Sequence, residues 1–441
     1  MRACVVLACL LVAASTRPGH GELVPLGPCG PIDRPHEAIE LTAIRLRRLG
    51  GTPLARLGMV AYRHGVAVPI PFQIDERIGS TIAMAGGPEP SFDDRPGILD
   101  PDDQLVFMAC DAGERAPGGT PTAALGREIR IDDPLDHHVG WAYLMVADSP
   151  PHTDRRYVEY DAAHDGVEAA HYRVGMVGAL PAEFRIGLGG PLGPNLIDGL
   201  RLRAEATLHA GLAHWAISER DGHHALVAWT AGPVRVVRRS RHSVDIGLGV
   251  QLSAGLAHTF FYAEHVYAPG AMKLPFSPSV FFRDITALGG VDLQGLEGWH
   301  YVAPGAEPPG LSIDGHMDER ERAFKGQGSW FALVGDGQGI MVAMTMSENL
   351  RRAIPLSLVY IDDAQRRAPP EFVPGSVPLV GIEGHEAQRL QKGRYTFQLR
   401  IMGLPGYRPG DEQRELSRLD APVTADVTLP ADLVTAPATP R

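Results

Sequence analysis

The residues best equipped for chemistry lie in two neighbouring segments. In His258-Thr-Phe-Phe-Tyr-Ala-Glu-His-Val-Tyr267, read as one strand, alternation puts His258, Phe260, Tyr262 and Glu264 on one face. Thr259, Phe261, Ala263, His265 and Tyr267 then fall on the other. Flat rings beside a carboxylate suit a sugar: rings stack on pyranose C–H faces, and a carboxylate or imidazole moves a proton. The preceding segment offers Arg235, Val237, Arg239 and Arg241 on one face and His242 on the other. A guanidinium grips an anionic sugar's carboxylate by paired hydrogen bonds. In this reading Glu264 or His242 is the base, Tyr262 or His265 the acid, Arg235 or Arg239 holds the anionic group, and Phe260 is a platform. Proton abstraction beside a carboxylate, as in a lyase, and acid/base hydrolysis both fit. The competing reading makes Phe260 and Tyr262 core residues and Glu264 a satisfied edge residue.

A second set is acidic. In Phe92-Asp-Asp-Arg-Pro-Gly-Ile-Leu-Asp-Pro-Asp-Asp103, Asp94, Asp100 and Asp103 fall at ligand positions of a calcium loop, with Gly97 at its turn. Phe92 and Pro96 stand where oxygen ligands are needed, so the loop is either a Ca²⁺ site short of ligands or a solvated turn. His137-His138 and His223-His224 are adjacent pairs, the second in a hairpin-tip sequence, Asp221-Gly222-His-His. Asp314-Gly-His-Met-Asp-Glu319 could bind a cation or simply start a charged helix. The sequence carries no GxSxG, no P-loop, no HExxH and no CxxC.

These groups need strands to position them. Short alternating runs bounded by Gly, Pro and Asp recur: Glu40 to Arg47, Gly140 to Val146, Gly199 to Ala206 and Gly393 to Ile401. Gly232-Pro-Val-Arg235 turns into a further strand. Helices are expected only at Asp318 to Lys325 and Asp363 to Arg367. Many strands at short spacing make an all-β protein. Ala147-Asp-Ser-Pro-Pro-His-Thr-Asp154 reads as a linker. The expected division is an N-terminal β-domain over 16–155, a large antiparallel β-sandwich over 156–405 and a polar, extended C-terminal extension over 406–441.

The chain has 441 residues, with 41 Lys and Arg against 52 Asp and Glu. A net charge of −11 without a basic patch argues against a nucleic-acid partner. Met1-Arg2, the apolar run Ala3 to Ala14 and the small residues Ala13 and Ser15 read as a signal peptide over 1–15. No later stretch is long and apolar enough for a membrane helix. The expectation is an exported protein, periplasmic or extracellular. Removal of the signal leaves Cys29 and Cys110, which either form a disulfide in an oxidising compartment or stay as two buried thiols.

Three segments resemble one family. Val68-Pro-Ile-Pro-Phe-Gln-Ile-Asp75 with Asp102-Asp-Gln-Leu-Val-Phe-Met108, the mid-chain Gly232-Pro-Val-Arg235, and Lys392-Gly-Arg-Tyr-Thr-Phe-Gln-Leu-Arg-Ile401 resemble exported bacterial proteins associated with polysaccharide use. Such proteins are similar to the galactose-mutarotase-like supersandwich. The resemblance implies that fold for 156–405 and carbohydrate as partner, and it assigns no catalytic residue. The fold also hosts non-catalytic proteins. Two functions therefore stand: a protein that binds or processes a carbohydrate, as a lyase or hydrolase of an anionic polysaccharide, and a non-catalytic scaffold or accessory subunit of an envelope complex. Export is checked by N-terminal sequencing of the mature protein, which is expected to begin at or shortly after Thr16.

Overall fold

A computed structural model describes residues 22–46, 48–118, 125–188, 190–209, 214–245, 251–366 and 377–429. The signal segment and residues 430–441 lie outside them. The described chain is mostly antiparallel strand, with three short α-helices, so the all-β expectation holds. No described helix is long and apolar enough to cross a membrane.

The N-terminal part pairs two sheets. One has three strands, Ala38–Thr42, Gln104–Met108 and Gln73–Asp75, with Gln104–Met108 in the middle. The other has five, in the order Thr424–Thr428, Leu125–Asp132, Val139–Val146, Leu57–Arg63, Val66–Pro69. Alternating apolar side chains of both sheets, among them Leu41, Met59, Leu105, Phe107, Ile129 and Leu144, interlock in one core. Cys29 and Cys110 are joined, which ties the segment before the first strand to this domain.

Beyond Val158 three sheets follow: a four-stranded meander over Val158–Ile186, a five-stranded sheet centred on Phe282–Leu293, and a nine-stranded sheet containing Val236–Asp245, Gln251–Phe261, His265–Leu274 and Gly393–Pro405. Their inner faces share a second core that includes Val236, Phe261, Leu333, Ile340, Tyr360 and Val380. Fully burying a side chain such as Phe261 stabilises the sandwich by roughly 1.5–3 kcal/mol.

Four expectations change. The run Glu40 to Arg47 is strand only as far as Thr42: Ala43–Leu46 is a short 3₁₀ helix, and Arg47 lies outside the described residues. His258 to Tyr267 is not one strand: Gln251–Phe261 ends, Ala263 and Glu264 form a tight turn closed by Tyr262 N–H to the His265 carbonyl at 2.9 Å, and His265–Leu274 returns. Asp363 to Gln365 is a turn rather than a helix, while Glu348–Ala353 is helical. The segment beyond residue 410 is not a plain extended tail. Asp411–Asp420 is a helix, and Thr424–Thr428 adds an edge strand to the N-terminal sheet. The helix expected near Asp318 is present over Glu319–Ala323, with Asp318 and Glu321 forming a reciprocal cap.

The C-terminal helix is held by a buried ion pair. His36 Nδ1 donates to Glu415 at 2.8 Å, and its Nε2 donates to the Gly403 carbonyl at 2.8 Å, so both ring nitrogens carry protons. Burial, the largest single effect, would lower the His36 pKa, but Glu415, the Gly403 carbonyl and Glu264 together outweigh it and raise it. Burial likewise opposes ionisation of Glu415, yet His36 and Arg418 hold it down at about 2. Glu415→Gln is expected to destabilise by about 3–5 kcal/mol, because it leaves His36 uncompensated. The raised His36 pKa gives stability that is complete below its unfolded value of 6.5 and fades as pH rises through the folded value. The lowered Glu415 pKa gives stability that is complete above 4.5 and lost as pH falls towards 2. Denaturant titrations across pH are therefore expected to show the largest loss between 4.5 and 6.5, shrinking on either side.

Candidate functional site

The hairpin turn at Ala263–Glu264 disperses the expected aromatic–acidic face. Tyr262 points its hydroxyl to the N-terminal sheet, donating to Glu40 Oε1 at 2.8 Å and accepting from Arg235 Nη1 at 2.7 Å. Its ring stacks on that of His265 at 4.5 Å. Burial pushes the Tyr262 hydroxyl pKa well up. His265 is buried, its Nδ1 has no partner among the described residues, and burial drives its pKa well down. Neither residue faces an open groove, so the structure does not support the proton donor suggested for Tyr262 or His265.

Arg235 is fully buried and its hydrogen-bonding capacity is consumed. Nε donates to Asp75 Oδ2 at 2.8 Å, Nη1 to Glu40 and Tyr262 at 2.7 Å each, and Nη2 to Gln104 at 2.9 Å and to Asp75. Phe260 lies under the guanidinium at 5.0 Å, so its ring packs against a cation rather than a sugar. Arg239 donates to His258 Nε2 at 3.0 Å and to the Ile82 carbonyl at 2.7 Å. That bond needs a neutral His258, and burial followed by the charges of Arg239 and Arg77 lowers the His258 pKa to about 4. Substrate contact by Arg235, Arg239 or Phe260 is therefore not what their surroundings provide.

Glu264 is buried and meets His171, whose Nδ1 lies 2.9 and 3.0 Å from the two carboxylate oxygens. Its partner is thus an imidazole from the four-stranded meander, a residue the sequence pattern did not single out. The bond to Glu264 raises the His171 pKa against a smaller opposing effect of burial. The space beside the pair is about 10 Å³, too small for a sugar ring.

The acidic loop is rearranged. Carboxylate oxygens of Asp93, Asp94 and Asp100 gather within 4.8 Å of one another, so these three could hold a cation. Arg95 already bonds Asp100 at 2.9 Å. Asp103 is not in the set: it accepts from the backbone N–H groups of Arg77 at 3.0 Å and Asp100 at 2.7 Å. Asp314 and Asp318 likewise serve backbone amides.

His242 is the remaining candidate, and its partner His224 lines an open polar pocket. The hairpin Gly222–Ala231 and Val236–Asp245 pairs His224 with His242 across the strands. Their Nδ1 atoms are 2.7 Å apart, and His242 Nε2 lies 2.6 Å from Ser240 Oγ. One proton fits between two nitrogens at that distance, so both rings cannot be charged together. Burial first, then the neighbouring charges, lowers the pKa of both. Above them is a pocket of about 500 Å³ lined by His223, His224, Arg241, Ser243 and the hairpin tip Val177–Gly178. Arg241 binds Glu89 through two bonds of 2.8 Å, a forked and exposed pair. A second large cavity, about 290 Å³ between the sheets, is lined almost wholly by apolar side chains such as Met176, Phe184 and Leu399, and cannot satisfy a sugar's hydroxyls.

The His224–His242 pairing was hidden in the sequence by a bulge. Counting outward from the turn, Ala231 faces Val236 and Ala228 faces Arg239, which would set His224 against Ser243. The register shifts between Leu226 and Ala228, and His224 meets His242 instead.

No family model and no curated protein matches the sequence. Among solved structures the chain is similar to an alpha-mannosidase from Enterococcus faecalis V583, at 10% identity over 93% of this chain and 45% of that one, with a TM-score of 0.45. It is similar to a protein in the glycosyl hydrolase family 38 from Enterococcus faecalis at 10% identity, over 89% and 45%, with a TM-score of 0.45. The Slr1438 protein from Synechocystis sp. PCC 6803 is 10% identical over 57% of this chain and 96% of that one, with a TM-score of 0.31. The chain spans less than half the length of the two Enterococcus proteins. None of these descriptions names the galactose-mutarotase-like family that the sequence motifs resemble.

The Glu264–His171 contact gives a direct check on the dispersed site. Glu264→Gln removes the group that raises the His171 pKa, so His171 is expected to titrate at lower pH by NMR. The same change is expected to destabilise the fold by about 1–3 kcal/mol through one weakened buried contact.

Proposed function

We propose that this chain is an exported protein that binds an acidic carbohydrate at the pocket of His223, His224, Arg241 and Ser243, and that its role there is binding rather than acid/base hydrolysis. The observation that carries the reading is the pocket's lining. An exposed guanidinium, whose fork a sugar carboxylate would share with or take from Glu89, stands beside imidazole and hydroxyl groups in a space of sugar size, while Glu264, the carboxylate first considered for acid/base work, is buried elsewhere. A glycoside hydrolase needs two carboxyl groups flanking the scissile bond. The described lining contains none, and Glu89 reaches it only through Arg241. The resemblance to exported proteins associated with polysaccharide use supports the ligand class and the supersandwich fold. The apolar leader and the Cys29–Cys110 bond support export into an oxidising compartment.

A second reading, an accessory subunit of an envelope complex, is favoured by an exposed apolar tip of Phe276, Val280 and Phe281. Calorimetric titration with glucuronate- or galacturonate-containing oligosaccharides and with neutral ones separates the two. The acidic ligand is expected to bind, and Arg241→Ala is expected to weaken it about tenfold while leaving the fold intact. Failure of every oligosaccharide to bind overturns the carbohydrate reading and leaves the accessory-subunit reading in place, and equal binding by the variant overturns the assignment to this pocket.

A further inference from the structure

A different part of the molecule holds a buried cation with no counterion among the described residues. Arg127 follows a bulge in the strand Leu125–Asp132, where the register against Val139–Val146 shifts between Leu125 and Arg127. Gly126 permits the bulge's tight packing: a Cβ there would lie 3.0 Å from the Leu144 carbonyl and 3.1 Å from Val146. The bulge turns Arg127 inward, and the residue is only 5% exposed. Nη1 donates to the carbonyl of Gly126, and Nη2 is buried with no hydrogen-bond partner among the described residues. A guanidinium stays charged at any physiological pH, so burial cannot be relieved by losing the proton.

The surroundings increase the deficit. Arg127 lines a cavity of about 410 Å³ together with Arg45, Arg48, Asp426, Val427, Thr428 and Leu429. Arg45 lies 3.6 Å from Asp426 and donates to the Ala425 carbonyl, so the one acidic residue of the lining is already engaged. Arg48, on an exposed turn with φ of 68°, brings a third positive charge. Burial and then the charge of Arg48 lower the Arg127 pKa, with no offsetting acidic group among the described residues. Buried charges in folded proteins are paired, and removing one partner is strongly destabilising. Here no pairing group is found among the described residues, and the residue lines a cavity.

We propose that this cavity is an oxyanion site, in which the guanidinium of Arg48, backed by the charge of Arg127, binds a sulfate, phosphate or carboxylate group, with Val427 and Leu429 packing against the carbon body that carries it. The geometry suits an anionic substituent on a larger molecule, since the space exceeds that of a bare ion and one wall is apolar. The site lies on the N-terminal sheet and owes nothing to the His224 pocket, so either can fail without the other.

The full-length mature protein is titrated calorimetrically with sodium sulfate, sodium phosphate and sodium glucuronate, against chloride at matched ionic strength. Wild type is expected to bind at least one oxyanion, and which of the three binds tightest identifies the group. Arg127→Met, which keeps the side chain's length and removes its charge, is expected to weaken binding at least about tenfold, as for loss of a charge-assisted pair. Arg48→Gln alters an exposed side chain that folding does not need, and it is expected to weaken binding too, which keeps the test open should Arg127→Met fail to fold. Arg241→Ala is expected to bind sulfate and phosphate as wild type does, since only the glucuronate titration also reports on the Arg241 pocket. Absence of binding beyond chloride, or unchanged binding in Arg48→Gln together with a folded Arg127→Met, overturns the proposal.

Discussion

One guanidinium joins the two halves of this protein. Arg235 sits at the start of the nine-stranded sheet and reaches all three strands of the small N-terminal sheet: Glu40 on the first, Asp75 on the second and Gln104 on the third. The backbone N–H groups of Val234 and Arg235 both donate to Gln73 Oε1, at 3.0 and 2.8 Å. Such a contact has no tolerance for slack, because a buried charge is strongly unfavourable unless every donor is met. Burial would lower the Arg235 pKa, but Tyr262, Asp75 and Glu40 outweigh it and raise it. The polar residues of this region are therefore committed to holding sheets together, and ligand chemistry must be sought where side chains keep free edges.

That commitment gives the sequence motifs a physical meaning. Gln73, Asp75 and Gln104 belong to the two N-terminal segments that carry the family resemblance, and Arg235 belongs to the mid-chain one. The segments, far apart in sequence, meet in one clamp. Gly232 is part of it: a Cβ there would lie 2.3 Å from Gln73 Oε1, so no larger residue fits against the amide. The resemblance thus rests on residues that build the domain junction, which is why it pointed to a fold and to no catalytic group.

What could be read from the sequence follows the range of each interaction. A strand such as Val139–Val146 was legible because alternation is local and its apolar side chains are buried. The helix cap at Asp318 and Glu321 was legible for the same reason. The C-terminal helix was not: its sequence, Asp411 to Asp420, is almost entirely polar, and its docking rests on His36 far upstream. The candidate site failed on register. A two-residue turn at Ala263–Glu264 sent Tyr262 and Glu264 to different partners, and a single bulged residue paired His224 with His242. One-residue shifts invert which face a side chain occupies, and nothing in composition announces them. His171 could have been found only by knowing that Glu264 needed a partner.

The edge strand Thr424–Thr428 completes a sheet whose other strands all lie between Leu57 and Val146. Until that partner is in place, Leu125–Asp132 presents an open row of backbone donors and acceptors, the kind of edge that recruits strands from other chains. The strand that closes it follows the large sheets in sequence, so this small sheet is finished only where the chain returns from them.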